Sequence, residues 1–162
     1  MKAFTLIETL VAISVLIMAL VGPLTIAEQS LRSAYYSRDQ ITAFYLAQEG
    51  IEYMRAVRDQ NYLVGQSWLT GISNCTNTNC YVDFPNFNHS ACPNDVCPAL
   101  LVSTTDGLFN HQSGATSKFT RSVTLKTVPN ATNQMIVSVT ISWVSGNIPR
   151  SFQLEERIFN WL

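Results

Sequence analysis

The sequence predicts an α+β protein in which a long N-terminal helix, apolar in its membrane- or filament-facing half and amphipathic in the other, packs on a C-terminal antiparallel sheet. Three observations predict it. Residues 9–27 carry no charge, residues 41–57 repeat apolar side chains at helical spacing, and three runs after residue 117 alternate with the period of a strand. A chain of 162 residues suits one modest soluble core plus an appendage, and a second globular domain does not fit.

Charged residues make up only 13% of the chain and the net charge is -1, so nothing points to the basic surface that nucleic-acid binding needs. The distribution says more than the total. Residues 1–27 hold only Lys2 and Glu8, whereas Glu28 to Asp59 carries nine charged side chains, so the chain changes solvent near Ala27.

The first element is the run TLVAISVLIMALVGPLTIA, from Thr9 to Ala27. At about 1.5 Å per residue it nearly crosses a hydrocarbon layer of about 30 Å. Lys2 ahead of it places the N-terminus in the cytoplasm by the positive-inside rule, with everything after Arg32 outside. The run is long and flows into more helix, which argues against an ordinary secretory signal. Gly22 and Pro23 predict a kink in a helix that does not stop.

The second element, residues 28–61, reads as the amphipathic half of the same helix. Ile41, Phe44, Ala47, Ile51, Met54 and Val57 form the expected apolar stripe, with Arg38, Asp39, Glu49, Glu52 and Arg55 mostly off it. A helix from about Thr5 to Asn61 is on the order of 85 Å long, far beyond a globular helix, so its greasy half has to leave the soluble domain.

Residues 62–117 show no sustained period and are rich in Gly, Pro, Asn and Cys, which predicts a long loop region. Between Gln60 and Ser117 the only charges are Asp83, Asp95 and Asp106. Cys75, Cys80, Cys92 and Cys97 form an even set, which predicts disulfides in an oxidising compartment, with three connectivities open. A zinc site is the lesser reading, since the intervening residues offer no convincing His partners.

Residues 118–162 predict the sheet. Lys118–Val128 alternates through Phe119, Val123 and Leu125; Met135–Val144 alternates through Val137, Val139, Ile141 and Trp143; and Phe152–Phe159 is the third run. Pro129 with Asn130, and Gly146 with Asn147, supply the turns. The expectation is a sheet of three or four strands with one face over the amphipathic helix.

Other candidate sites are weak. His89 and His111 are expected to be solvent-exposed loop residues with no nucleophile beside them, and no enzymatic role is indicated. Asp83, Asn86, Asn88 and Asp95 could offer oxygens to calcium, but without the EF-hand spacing solvated polar loops are the better account, and no cofactor is expected. Trp68, Trp143 and Trp161 read as core or subunit-contact residues.

The sharpest local feature is Phe4-Thr5-Leu6-Ile7-Glu8 directly ahead of the apolar run, preceded by Met1-Lys2-Ala3. In this the chain resembles the type IV pilin and pseudopilin family, and Phe44-Tyr45-Leu46-Ala47-Gln48-Glu49 continues the look of PilV-like minor pilins. The resemblance implies a leader of residues 1–3, cut between Ala3 and Phe4 by a prepilin peptidase, with methylation of the new Phe4 amine. It implies residues 4–27 as the transmembrane and filament-core helix, and as partners other pilin subunits, the inner-membrane pilus assembly machinery and, before assembly, lipid. Its expected destination is an extracellular filament, in a pilus or in a secretion or competence system.

An ionised Glu8 in hydrocarbon costs several kcal/mol unless paired or protonated, and the freed Phe4 amine of its own or a neighbouring helix is the expected partner. The competing account makes Glu8 an interfacial carboxylate or a first-turn charge favoured by the helix dipole. A reading of another class is a single-pass membrane protein that never polymerises and whose outer domain is a binding or adhesion module.

Overall fold

The computed structural model describes residues 5–160. One helix, α1 (Leu6–Leu63), is followed by seven strands: β1 (Cys80–Asp83), β2 (Asn88–Ala91), β3 (Ala99–Val102), β4 (Phe109–Asn110), β5 (Ala115–Val128), β6 (Ala131–Ser145) and β7 (Ile148–Phe159). Short 3-10 turns occupy Ser73–Cys75 and Pro93–Asp95. The chain divides between Asp39 and Gln40 into two units, taken in turn.

In the first unit α1 begins after Thr5, whose carbonyl accepts the amides of Glu8 at 3.1 Å and Thr9 at 3.2 Å. Helix continues through Pro23, as the sequence predicts. Thr9, Ser14, Thr25 and Ser30 turn their hydroxyls back onto carbonyls three or four residues earlier, at 2.8–2.9 Å. Those bonds satisfy the polar groups internally, which lets them sit in an apolar helix without needing water.

In the second unit the helix from Gln40 onward lays Ala43, Leu46, Ala47, Gly50, Ile51, Met54 and Val57 into the core. Ile41 and Phe44, expected on that stripe, are 58% and 39% exposed. The reason is steric: the buried face is centred on the small residues Ala43, Ala47 and Gly50, which bring the helix close to the sheet. A side-chain carbon at Gly50 would lie only 3.1 Å and 3.2 Å from the two methyls of Val139. Phe44 instead meets Phe152 edge-on at 5.9 Å.

All strand pairs are antiparallel. β7 pairs with β6, β6 with β5, and β5 on its other side with both β1 and β3, which carry β2 and β4 beyond them. Three long strands lie where alternation placed them, and four short ones lie in the segment expected to be loop. The count is therefore seven rather than three or four, because strands of two to four residues are too short to display a period.

The inner face is built by Phe119, Arg121, Val123 and Leu125 of β5, by Met135, Val137, Val139, Ile141 and Trp143 of β6, and by Ile158 of β7. Ile72, Val82 and Leu100 from the connecting segment close the core. Asn130 and Gly146 turn the hairpins with φ of 62° and 64°, left-handed values that Asn and Gly adopt at low cost. Gly114 has φ of 129°, and any side chain there would collide with the Val102 carbonyl, so β5 can begin beside β3 only with glycine at this point.

Candidate functional site

The N-terminal motif is described from Thr5 onward; the expected cleavage and methylation residues, Ala3 and Phe4, lie outside the described residues, as does Trp161. Thr5 caps α1, its Oγ1 accepting the Glu8 amide at 3.4 Å. Thr5-Leu6-Ile7-Glu8 thus has the form of a capping box, a pattern readable from the sequence. Glu8 is an exposed acid in the first helical turn, which gives the dipole account a local basis.

Beyond Glu8 the helix exposes apolar side chains all round. Leu10, Val11, Ile13, Leu16, Ile17, Leu20, Val21 and Leu24 are each more than half exposed. A soluble surface helix has one apolar stripe, whereas this one is apolar on every side and needs lipid or other helices around it. Among the described residues α1 is the one helix long and apolar enough to cross a membrane, so it is a candidate anchor.

The second unit brings together charges that sequence periodicity left apart. Arg121 is fully buried, with Nη1 3.1 Å from Glu49 Oε1 and donating to the Leu46 carbonyl at 3.1 Å, while Nη2 donates to the Val82 carbonyl at 2.7 Å. One guanidinium thereby ties β5 to the helix and to β1. Burial pulls Arg121 below its ordinary value, and Glu49 and then Asp83 pull it back. The signal for it was present in the sequence: Arg121 stands at an inward position of the alternation between Phe119 and Val123.

Asp83, expected to be a solvated loop acid, is 1% exposed. Its carboxylate accepts Asn86 Nδ2 at 3.0 Å and the His111 amide at 3.0 Å, so its oxygens organise the β1–β2 connection. Asp95 accepts the Asn79 amide at 2.7 Å, and Asn88 sits on β2. Asp83 thus holds Asn86 and sits opposite Asn88, while Asp95 is bonded to Asn79 just ahead of β1, and among the described residues no group of three or more His, Cys, Asp or Glu is placed to hold a metal. The cysteines form Cys75–Cys80 and Cys92–Cys97, with Cα separations of 5.5 Å and 4.7 Å, one of the three open connectivities.

Neither histidine is a free loop residue. His89 Nδ1 lies 2.7 Å from the Tyr53 hydroxyl and Nε2 lies 2.9 Å from the Gly71 carbonyl. Since a carbonyl can only accept, Nε2 carries the proton and the ring joins the helix, β2 and the loop at Gly71. Burial, with Asp83 adding to it, pushes the Tyr53 phenol up to about 12. His111 is half-buried against Tyr81 at 4.9 Å.

His111 yields a pH prediction. Burial first, and the Arg121 guanidinium second, hold its imidazole below the ordinary value of 6.5, with Asp83 opposing. The unfolded chain then binds the proton more tightly, so this contribution to stability is intact above pH 6.5 and is lost as pH falls toward the lower folded value. Denaturant midpoints measured from about pH 7.5 to about pH 5.5 should fall for the native chain and flatten in His111→Gln. Parallel curves for the two proteins would refute it.

No family model, curated protein or solved structure matches the chain. The functional reading therefore rests on the residues themselves. Trp143 is a core residue, buried against Phe119 at 6.0 Å, and Trp68 is half-buried. A groove of about 850 Å³ between Glu52, Arg55, Arg58 and Asp59 of α1 and Glu156, Arg157 and Phe159 of β7 is lined by charges of both signs, with Arg55 paired to Glu52 and Glu156. It offers no nucleophile beside a base.

Proposed function

We propose that this chain is a pilin-like filament subunit of the minor-pilin type, held first in the inner membrane and then assembled at the cell surface through its N-terminal helix. The observation that carries this reading is the helix itself: nineteen uncharged residues, Thr9–Ala27, exposed on all sides and introduced by Thr5-Leu6-Ile7-Glu8. Lipid and a bundle of like helices are both apolar surroundings, so packing rather than water exclusion decides between them. A subunit with such a helix can leave the bilayer for a filament core without exposing it to water. The two disulfides fit a domain held in an oxidising compartment.

In this reading a prepilin peptidase cuts after Ala3, the Phe4 amine is methylated, and Glu8 meets that amine on its own helix or a neighbour's. A secretion or competence pseudopilin would use the same physics, and genomic context separates these systems. The reading of another class, a membrane-anchored adhesion module that never polymerises, keeps the leader. Mass spectrometry of the exported protein decides between them. Loss of residues 1–3 with gain of one methyl group is expected; an intact N-terminus, or ordinary signal cleavage further along, would sink the filament reading.

A further inference from the structure

The long strand β7 borders the sheet, and its backbone can be divided into inward and outward groups. Only Gly146 and Asn147 separate β6 from β7, so Ser145 and Ile148 form the hydrogen-bonded pair that closes the hairpin. The ladder then alternates without a shift, and at its far end the Asn160 amide donates to the Asn133 carbonyl at 2.8 Å, in step with that phase. Even-numbered residues of β7 therefore bond to β6. The amides and carbonyls of Pro149, Ser151, Gln153, Glu155, Arg157 and Phe159 face the other way, and no strand pairs there among the described residues. Pro149, which has no amide proton, stands at an outward position and costs the ladder nothing.

We propose that β7 pairs with β7 of a second copy, antiparallel and two-fold symmetric about Gln153. In that register Phe152 stands opposite the partner's Leu154, Arg150 opposite the partner's Glu156, and Ile148 opposite the partner's Ile158, each pair occurring twice. All of these are even positions, which face the inner side and form the non-hydrogen-bonded pairs, where opposite side chains come closest. The odd positions supply the backbone bonds: Gln153 with its own copy and Ser151 with Glu155 exchange both, whereas Pro149, with no amide proton, only accepts from the partner's Arg157 amide.

Neighbouring registers fail on charge. Sliding the partner by two residues in one direction sets Arg150 against Leu154 and Glu156 against Ile148; the other direction sets Arg150 against Ile158 and Glu156 against Phe152. A slide by one would bring outward backbone groups against inward ones. Mixed charges on an edge ordinarily discourage strand addition. Here they discourage every strand except the one whose sequence reads as their complement, which is this strand reversed.

There is room for the pairing. Phe152 and Leu154 are only half-buried, because the groove lined by Phe44, Gln48, Ile51 and Leu154 separates helix from strand on the inner side. Glu156 already pairs with Arg55 and would gain the partner's Arg150. The contact is a self-association of the soluble domain and stands whether or not the helix enters a filament.

The test uses the full chain in detergent with one added cysteine. Gln153→Cys, on the two-fold, should give about tenfold more covalent dimer under mild oxidation than Ser142→Cys, which is exposed on β6. Arg150→Glu, a change at an exposed position, should lower the Gln153→Cys yield about tenfold by facing the partner's Glu156. Association through the apolar helix alone would cross-link both sites equally and ignore residue 150, and either result would overturn the proposal.

Discussion

Arg121→Ala should lower the unfolding free energy of the domain by about 3–5 kcal/mol, the range for removing one partner of a buried ion pair. Three losses combine. The Val82 carbonyl loses its 2.7 Å guanidinium donor, the half-buried Glu49 loses its cation, and a large side chain vanishes from beneath the helix. Arg121→Met separates charge from volume: it refills most of the space, removes the charge that burial penalises, and should cost far less. Glu49→Gln should also destabilise, since it leaves Arg121 charged with a weaker partner. Denaturant titration followed by near-ultraviolet circular dichroism measures all three. If Arg121→Ala loses under about 1 kcal/mol, the guanidinium is not the tie between helix and sheet.

Glu8→Ala should leave membrane insertion intact and reduce recovery in sheared filaments by about tenfold or more. Insertion should if anything improve, because a charged side chain opposes insertion, though at the first turn by less than the ~3 kcal/mol it costs at a helix centre. Assembly loses the carboxylate that the Phe4 amine is proposed to meet. The capping geometry at Thr5 supplies a control, since Glu8→Gln retains a side chain that can serve a capping box but abolishes the charge. Failure of both variants supports charge pairing. If Gln assembles normally and Ala does not, the residue acts as a helix cap, and if both assemble normally it serves neither purpose.

The long elements were legible because their signals are contiguous. The uncharged stretch, the extended helix and the strands β5 and β6 each declare themselves through periodicity or solvent preference over ten or more residues, and the eight-residue run Phe152–Phe159 marks the later part of β7. The helix stripe was legible from Ala47 through Ile51 and Met54 to Val57, all buried, but not at its start. Ile41 and Phe44 were expected there because they are large and apolar, whereas close packing selected Ala43, with Gly50 also on the covered face. The strands between Cys80 and Asn110 were hidden by their brevity, and the disulfide pairing by the equivalence of the possible connectivities.

The histidines and Asp83 illustrate the same limit from the polar side. A polar residue in a Gly/Asn-rich segment reads as solvated until something distant is folded over it, as Tyr53 is over His89, 36 residues away in sequence. Asp83 is buried by the fold and satisfied by Asn86 and by the backbone at His111, 28 residues on.

What the amino-acid order determined alone is where the charge-free run ends, where the long helix lies and where the three long strands fall. These follow from transfer free energies and backbone periods of adjacent residues. Tertiary structure decided which face of the helix is covered, which cysteines join, and that Arg121 reaches across 75 residues to the Leu46 carbonyl. Such contacts between distant segments depend on closing long loops against conformational entropy, and only the packed core as a whole selects which of the many possible partners meet.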